Sequence, residues 1–198
     1  MSWQAEQHDT EWPFEYHATP FDLNPDSTAL LVVDMQAGDL VKDTRVVYTR
    51  NGAITPHGEE VIARLKSRKK RGTDIASERY RGAPEYEIAA EVFPTPDELV
   101  VDKLTSSAFH NTMVDHALRN FGITDVVITG VLTDMCILGT ARVAAELGYN
   151  TLIAEDACGT LTQRAHDEAL LMHARVFGRV ATTADVIAEL SARARGNQ

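Results

Sequence analysis

Six short apolar runs, each too short to be a helix and most of them rich in β-branched residues, recur along this chain. They are Ala29–Val33, Arg45–Tyr48, Leu99–Val101, Asp125–Thr129, Thr151–Ala154 and Val176–Val180. Continuous rather than alternating apolar character marks strands buried on both faces. Helical spacing fills 109–121, 136–147, 163–174 and 183–194, with Thr112 and Asp115 spaced like a capping box. Strands alternating with helices predict an α/β fold: a three-layer αβα arrangement around a mostly parallel central sheet. One domain over residues 28–198 accommodates all of it. Residues 1–27 read as an N-terminal arm, with Trp3, Trp12, Phe14, Tyr16 and Phe21 set among polar residues and prolines, suited to docking on the domain or on a second subunit.

Charge excludes one large class of partner. With 29 acidic against 19 basic residues, the net charge of −10 argues against nucleic-acid binding. Two cysteines without a CxxC pair or a Cys/His cluster suggest neither a disulfide scaffold nor a zinc site. The N-terminus shows no basic-then-apolar signal pattern, and no run approaches the ~20 apolar residues that span a bilayer. A cytoplasmic protein with no membrane contact is expected.

Residues 50–98 are less regular. Glu59–Arg71 suggests a short helix, and six of the eight residues from Arg64 to Arg71 are basic, as suits a solvated helix end. The stretch from Thr73 to Glu98 holds Gly and Pro and reads as a loop over one end of the sheet, where binding residues often sit.

Open parallel sheets form their sites at the carboxyl ends of strands. Asp34 follows ALLVV directly, Lys103 follows ELVVD directly, and Cys136 lies just past DVVITG. Singly, Asp34 reads equally as a helix cap, Lys103 as a loop charge and Cys136 as a small buried hydrophobe. Together they offer a carboxylate, an ammonium and a thiol, a set suited to nucleophilic amide chemistry. Around the cysteine, Gly130 reads as a strand breaker, Thr133 and Asp134 as helix caps and Gly148 as a helix stop. A thiol in a first helical turn beside a cation is expected to favour the thiolate.

ALLVVDMQ, VDKLTSSAF and VVITGVLTDMCILGTARVAAELGY, in that order, resemble the three signature segments of the isochorismatase-like cysteine hydrolases. That family includes nicotinamidases, N-carbamoylsarcosine and ureidoacrylate amidohydrolases, and biuret hydrolases. The resemblance covers roughly residues 28–190. It implies a catalytic triad of Asp34, Lys103 and Cys136. It also implies a cis peptide at Val131–Leu132 that aims the Leu132 N–H, with that of Cys136, at the substrate oxygen. Members that cleave the isochorismate enol ether lack the cysteine, so its presence implies C–N hydrolysis of a small linear amide or ureide through a thioester, with ammonia or an amine released. Nicotinamidases carry an Asp-x-His metal motif after the second strand. Here that place reads VVYTRNGAITPHG with His57 alone, so no metal and no cofactor are expected.

The segment KLTSSAFHNTMVDHALRNFGI looks closer to ureidoacrylate- and biuret-type members. Phe109 is then a candidate pocket wall, Arg79 and Arg81 candidates to pair with a substrate carboxylate, and Cys158 a structural thiol. A homodimer or homotetramer, clasped by residues 1–27, is also implied. In one place the chain departs from the pattern. Only MQAGDLVKDT separates Asp34 from Arg45, where the family places a loop and a long helix. Either the second strand pairs differently, or the usual first crossover helix is lost, or a segment is absent from the sequence. The competing reading is a catalytically weak or inactive relative serving as a binding or interaction subunit; a redox pair of Cys136 and Cys158 is a third.

Overall fold

The computed structural model describes residues 20–34, 45–56, 69–70, 73–74 and 80–196. Most of the N-terminal arm, Arg79, His57 and most of the helix read over 59–71 lie outside the described residues. The strands are β1 (Thr28–Val33), β2 (Arg45–Asn51), β3 (Lys69–Lys70), β4 (Thr73–Asp74), β5 (Leu99–Lys103), β6 (Asp125–Val131), β7 (Asn150–Gly159) and β8 (Arg179–Ala181). The helices are α1 (Val114–Asn120), α2 (Leu138–Glu146), α3 (Gln163–Val176) and α4 (Thr183–Gly196).

Six strands form a parallel sheet in the order β5-β2-β1-β6-β7-β8, while β3 and β4 make a separate antiparallel ribbon. Every residue of β1 is buried, as its unbroken TALLVV run requires of a central strand. Alternate residues feed two cores. Ala29, Leu31 and Val33 join Val114, Leu118, Ala141 and Leu170 of α1 to α3. Leu30 and Val32 face the other way, toward Val186 and Leu190 of α4. Both faces of the sheet are therefore covered, and the three-layer reading holds. Among the described residues no helix is long and apolar enough to cross a membrane.

The short connection after β1 does not alter strand pairing. β2 lies beside β1 in parallel register, Ala29 opposite Arg45 and Val33 opposite Thr49. Returning along a six-residue strand needs about 20 Å, and eleven linking residues reach about 36 Å when extended, so the number of residues suffices for the parallel return.

Several local readings need correction. The run 109–121 becomes helical only at Val114, because Thr112 turns its hydroxyl to the Ala108 carbonyl and accepts from the Val114 N–H instead of capping an earlier turn. Gly130 does not end its strand; at φ 118° it sits where the β6–β7 register shifts, and β6 continues to Val131. Neither Thr133 nor Asp134 caps a helix: they lie inside a π-helical turn, Thr133–Ile137, that precedes α2. Lys69–Lys70 pair as a strand rather than ending a helix. The last strand starts at Arg179, since α3 runs on to Val176. Gly148, at φ 94°, closes α2 as read.

His173 on α3 is fully buried. Gly178 follows the helix because any Cβ there would overlap the Thr151 carbonyl, and the histidine ring packs against the same spot. Burial pushes His173 down to about 4, offset only in part by the Thr151 and Arg179 backbone. Above pH ~6.5 the ring is neutral folded and unfolded, and it contributes no pH dependence. Between ~6.5 and about 4 the unfolded chain binds a proton that the native state refuses, so stability falls with falling pH. The expected loss is on the order of 3 kcal/mol by pH 4. Urea midpoints at pH 7.5, 5.5 and 4 should drop for the wild type, with a shallower drop for His173→Leu. Parallel pH profiles for the two proteins contradict this assignment.

Candidate active site

Four neighbouring strands end on one edge of the sheet and supply the site. β1 and β6 are adjacent while their chain continuations diverge, which opens the crevice characteristic of a topological switch point. Asp34 takes the position just past β1 with φ 59°, a left-handed conformation that Asp tolerates better than most residues. Lys103 ends β5 on the same side as Val101, two residues earlier, and is 1% exposed. Cys136 stands in the π-helical turn after β6, half-buried against the core of α1 to α3.

The three residues meet. The Lys103 ammonium lies 2.9 Å from Asp34 Oδ2 and 3.5 Å from Cys136 Sγ, and donates to the Thr105 and Ser106 carbonyls at 3.0 and 3.1 Å. Three N–H bonds shared among a carboxylate, two carbonyls and a sulfur satisfy a cation with no access to water. Thr49 on β2 donates to the other Asp34 oxygen, Oδ1, at 3.1 Å. Asp34 and the thiol are thus joined through the ammonium that contacts both.

Contrary to the expectation from the helix terminus and the nearby cation, the thiol is not acidified. Burial, and then the Asp34 carboxylate, push Cys136 up to about 11, although Lys103 pulls it the other way. The physical reason is that the lysine charge is already matched by Asp34 at 2.9 Å, so little net positive field reaches the sulfur. Cys136 therefore rests as a thiol, with the charge of a nearby carboxylate opposing its ionisation.

The implied cis peptide is present at Val131–Leu132. The Leu132 carbonyl accepts from the Met135 and Ile137 N–H groups at 3.0 and 3.2 Å, folding the turn around the cysteine between them. Behind the lysine, the Ala108 N–H donates to the buried Thr140 hydroxyl of α2, tying the segment after β5 to the helix after Cys136.

The expected pocket wall, Phe109, and the expected carboxylate partner, Arg81, are both engaged with other residues. Phe109 packs in the core with its ring 5.7 Å from that of Tyr149, a residue at the amino end of β7 and so at the opposite edge of the sheet. Arg81 pairs with Asp102, whose side chain leaves β5 on the side away from Lys103. Arg50 binds the same carboxylate at 2.8 Å and Glu87 at 2.7 Å, making a clamp that holds the 80–89 segment to the ends of β2 and β5. Burial works to raise the Asp102 carboxyl, but hydrogen bonds from Arg81 and Arg50 together hold it below the usual carboxylate range. Cys158 is a free thiol inside β7, pushed up to about 12 by burial and directed at the Ile128 carbonyl, which fits a structural role.

Asn51 was not singled out from the sequence. Its amide donates to the Thr105 carbonyl at 3.1 Å and lies 4.0 Å from Cys136 Sγ. The second apolar run stops at Tyr48, but β2 continues to Asn51, and of the three added polar residues Thr49 and Asn51 face the site. Following the strand to its end would have found them. Among the described residues no group of three or more His, Cys, Asp or Glu side chains is gathered as a metal site.

The chain matches known proteins along most of its length. A model of the isochorismatase domain matches residues 28–185. The ureidoacrylate amidohydrolase RutB of Variovorax paradoxus (strain S110) is 36% identical over 108 residues, 54% of this chain and 43% of that protein. The chain thus spans less than half the length of that relative. RutB of Agrobacterium fabrum (strain C58 / ATCC 33970) is 29% identical over 214 residues, 87% of this chain and 93% of that protein. A cysteine hydrolase from Pseudomonas syringae pv. phaseolicola 1448A shares the fold, with a TM-score of 0.75 at 24% identity over 88% of this chain and 97% of its own.

Proposed function

From the premise that this chain belongs to the isochorismatase family, we propose that it is a cysteine-dependent amidohydrolase that cleaves a C–N bond of a small linear amide or ureide. The observation that carries the reading is the contact of the buried Lys103 ammonium with both the Asp34 carboxylate and the Cys136 sulfur. The names of the RutB relatives support a ureide-type substrate.

In this mechanism Asp34 takes the Cys136 proton as sulfur attacks the carbonyl carbon, which suits a thiol whose resting state is protonated. The Leu132 and Cys136 N–H groups stabilise the oxyanion, a donor in such a site being worth about 2.7–4 kcal/mol. Asp34 then returns the proton to the leaving nitrogen, ammonia or an amine departs, and a thioester remains. Water, deprotonated by Asp34, hydrolyses the thioester to the acid and restores the thiol. Lys103 holds the carboxylate in place and offsets the negative charge on sulfur as it develops. Asn51 steadies the same sulfur from the β2 side. With the β1–β2 pairing intact and the three groups in contact, the short connection after Asp34 offers no support for an inactive relative.

Ammonia release measured over ureidoacrylate, biuret, N-carbamoyl amino acids, maleamate and nicotinamide tests the substrate class. The base role has its own test. Asp34→Asn is expected to lower turnover about 10²- to 10⁴-fold. The same change removes the carboxylate that raises the thiol, so iodoacetamide should alkylate Cys136 faster at pH 7–8 than in the wild type. Unchanged turnover in Asp34→Asn contradicts the base assignment.

A further inference from the structure

We propose that His166 is a positioning residue for the turn that carries the nucleophile, acting through Thr133. The inference rests on the reading of Cys136 as nucleophile. The π-helical turn begins at Thr133, whose side chain is completely buried, and Thr133 Oγ1 lies 2.9 Å from His166 Nδ1. That ring belongs to the first turn of α3, an element that contributes no group to the chemistry. Its backbone is itself anchored: the His166 N–H donates to the Thr162 carbonyl at 3.1 Å, and the Thr162 hydroxyl caps the helix by accepting from the Ala165 N–H.

The contact is one of three successive holds on the same strand-to-helix passage. Val131 is paired with Gly159 at the end of β7, Thr133 is held by His166, and Asp134 accepts from the Thr160 hydroxyl. The segment from Gly159 to His166 thus grips residues 131, 133 and 134, bracketing Leu132 and leading directly to Cys136. π-helical turns are rare, occur mostly as single turns beside α-helices and are frequent at functional sites. A buried hydroxyl bonded to a single ring nitrogen anchors the start of the turn between the two peptides that carry the Leu132 and Cys136 N–H groups. Loss of the contact changes orientation rather than affinity, so its effect falls on kcat.

Steady-state kinetics and melting temperatures of a small variant set test this. His166→Ala and Thr133→Val should each lower kcat about 10- to 100-fold, with KM within about twofold of the wild type. Thr133→Ser, which keeps the hydroxyl, and His166→Asn, which returns a polar atom near the Nδ1 position, should each recover most of the loss. The double variant His166→Ala/Thr133→Val should be no slower than the worse single variant, because the two act through one contact. If His166→Ala does not fold, the contrast between Thr133→Val and Thr133→Ser carries the test. Wild-type kcat in Thr133→Val, losses confined to KM, or losses that multiply in the double variant overturn the proposal. Cys136→Ala run alongside separates the two readings. Full turnover there removes the nucleophile assignment itself, whereas an inactive Cys136→Ala with unaffected His166 and Thr133 variants removes only the positioning role.

Discussion

Cys136→Ala is expected to cut ammonia release by at least about 10³-fold while leaving the protein folded. The two halves of that outcome have separate causes. Activity disappears because no other described thiol stands beside Asp34 and Lys103; the second one, Cys158, points at the Ile128 carbonyl from within β7. Folding survives because alanine is a good helix former, and losing one half-buried sulfur removes little packed volume. Lys103 keeps its bonds to Asp34 and to the Thr105 and Ser106 carbonyls in the variant, so no buried charge is orphaned. Ammonia assays and thermal melts on the same preparation provide the check. Turnover within tenfold of the wild type contradicts the nucleophile assignment, whatever the melting temperature.

Lys103→Met is expected to act on stability as much as on activity. The ammonium side chain is fully buried and Asp34 is 12% exposed. Removing the cation leaves a nearly buried carboxylate without its partner and two carbonyls without their donor. Breaking such a pair from one side costs about 3–5 kcal/mol, a large fraction of the ~5–15 kcal/mol that holds a domain together. The double variant Asp34→Asn/Lys103→Met removes both charges and should be more stable than Lys103→Met alone, although equally inactive. Urea denaturation midpoints measure the order of the three proteins. A Lys103→Met protein as stable as the wild type contradicts the structural role given to the pair.

What could be read from residues and what could not divide along physical lines. The unbroken TALLVV and DVVIT runs already place the two central strands, because only strands covered on both faces need no polar residues. Asp34, Lys103 and Cys136 were legible for the same reason: reactive groups stood out at the ends of apolar runs. Asn51 was hidden because Thr49 and Arg50 blur the end of the second run, and the alternation of faces in that stretch emerges only from its pairing with β1 and β5. The acidity of the thiol was misjudged because a sequence shows a lysine without showing that its charge is matched. Phe109 and Arg81 sit at plausible distances along the chain, but their placement depends on which edge or side of the sheet each reaches. Thr133 and His166 are separated by 33 positions, and neither resembles anything but an ordinary polar residue until the fold joins them.

The parallel pairing of β1 has a consequence for how the chain is made. One edge of this apolar strand bonds to β2, but the other waits for β6, with Thr28 facing Asp125. At ~5–20 residues per second, a ribosome needs about 5–20 s to supply the missing neighbour. Throughout that interval a greasy strand edge is available to the wrong partner, and the three reactive groups cannot meet. Holding that edge until Cys136 has emerged is therefore a task for translation speed and chaperones as much as for the sequence itself.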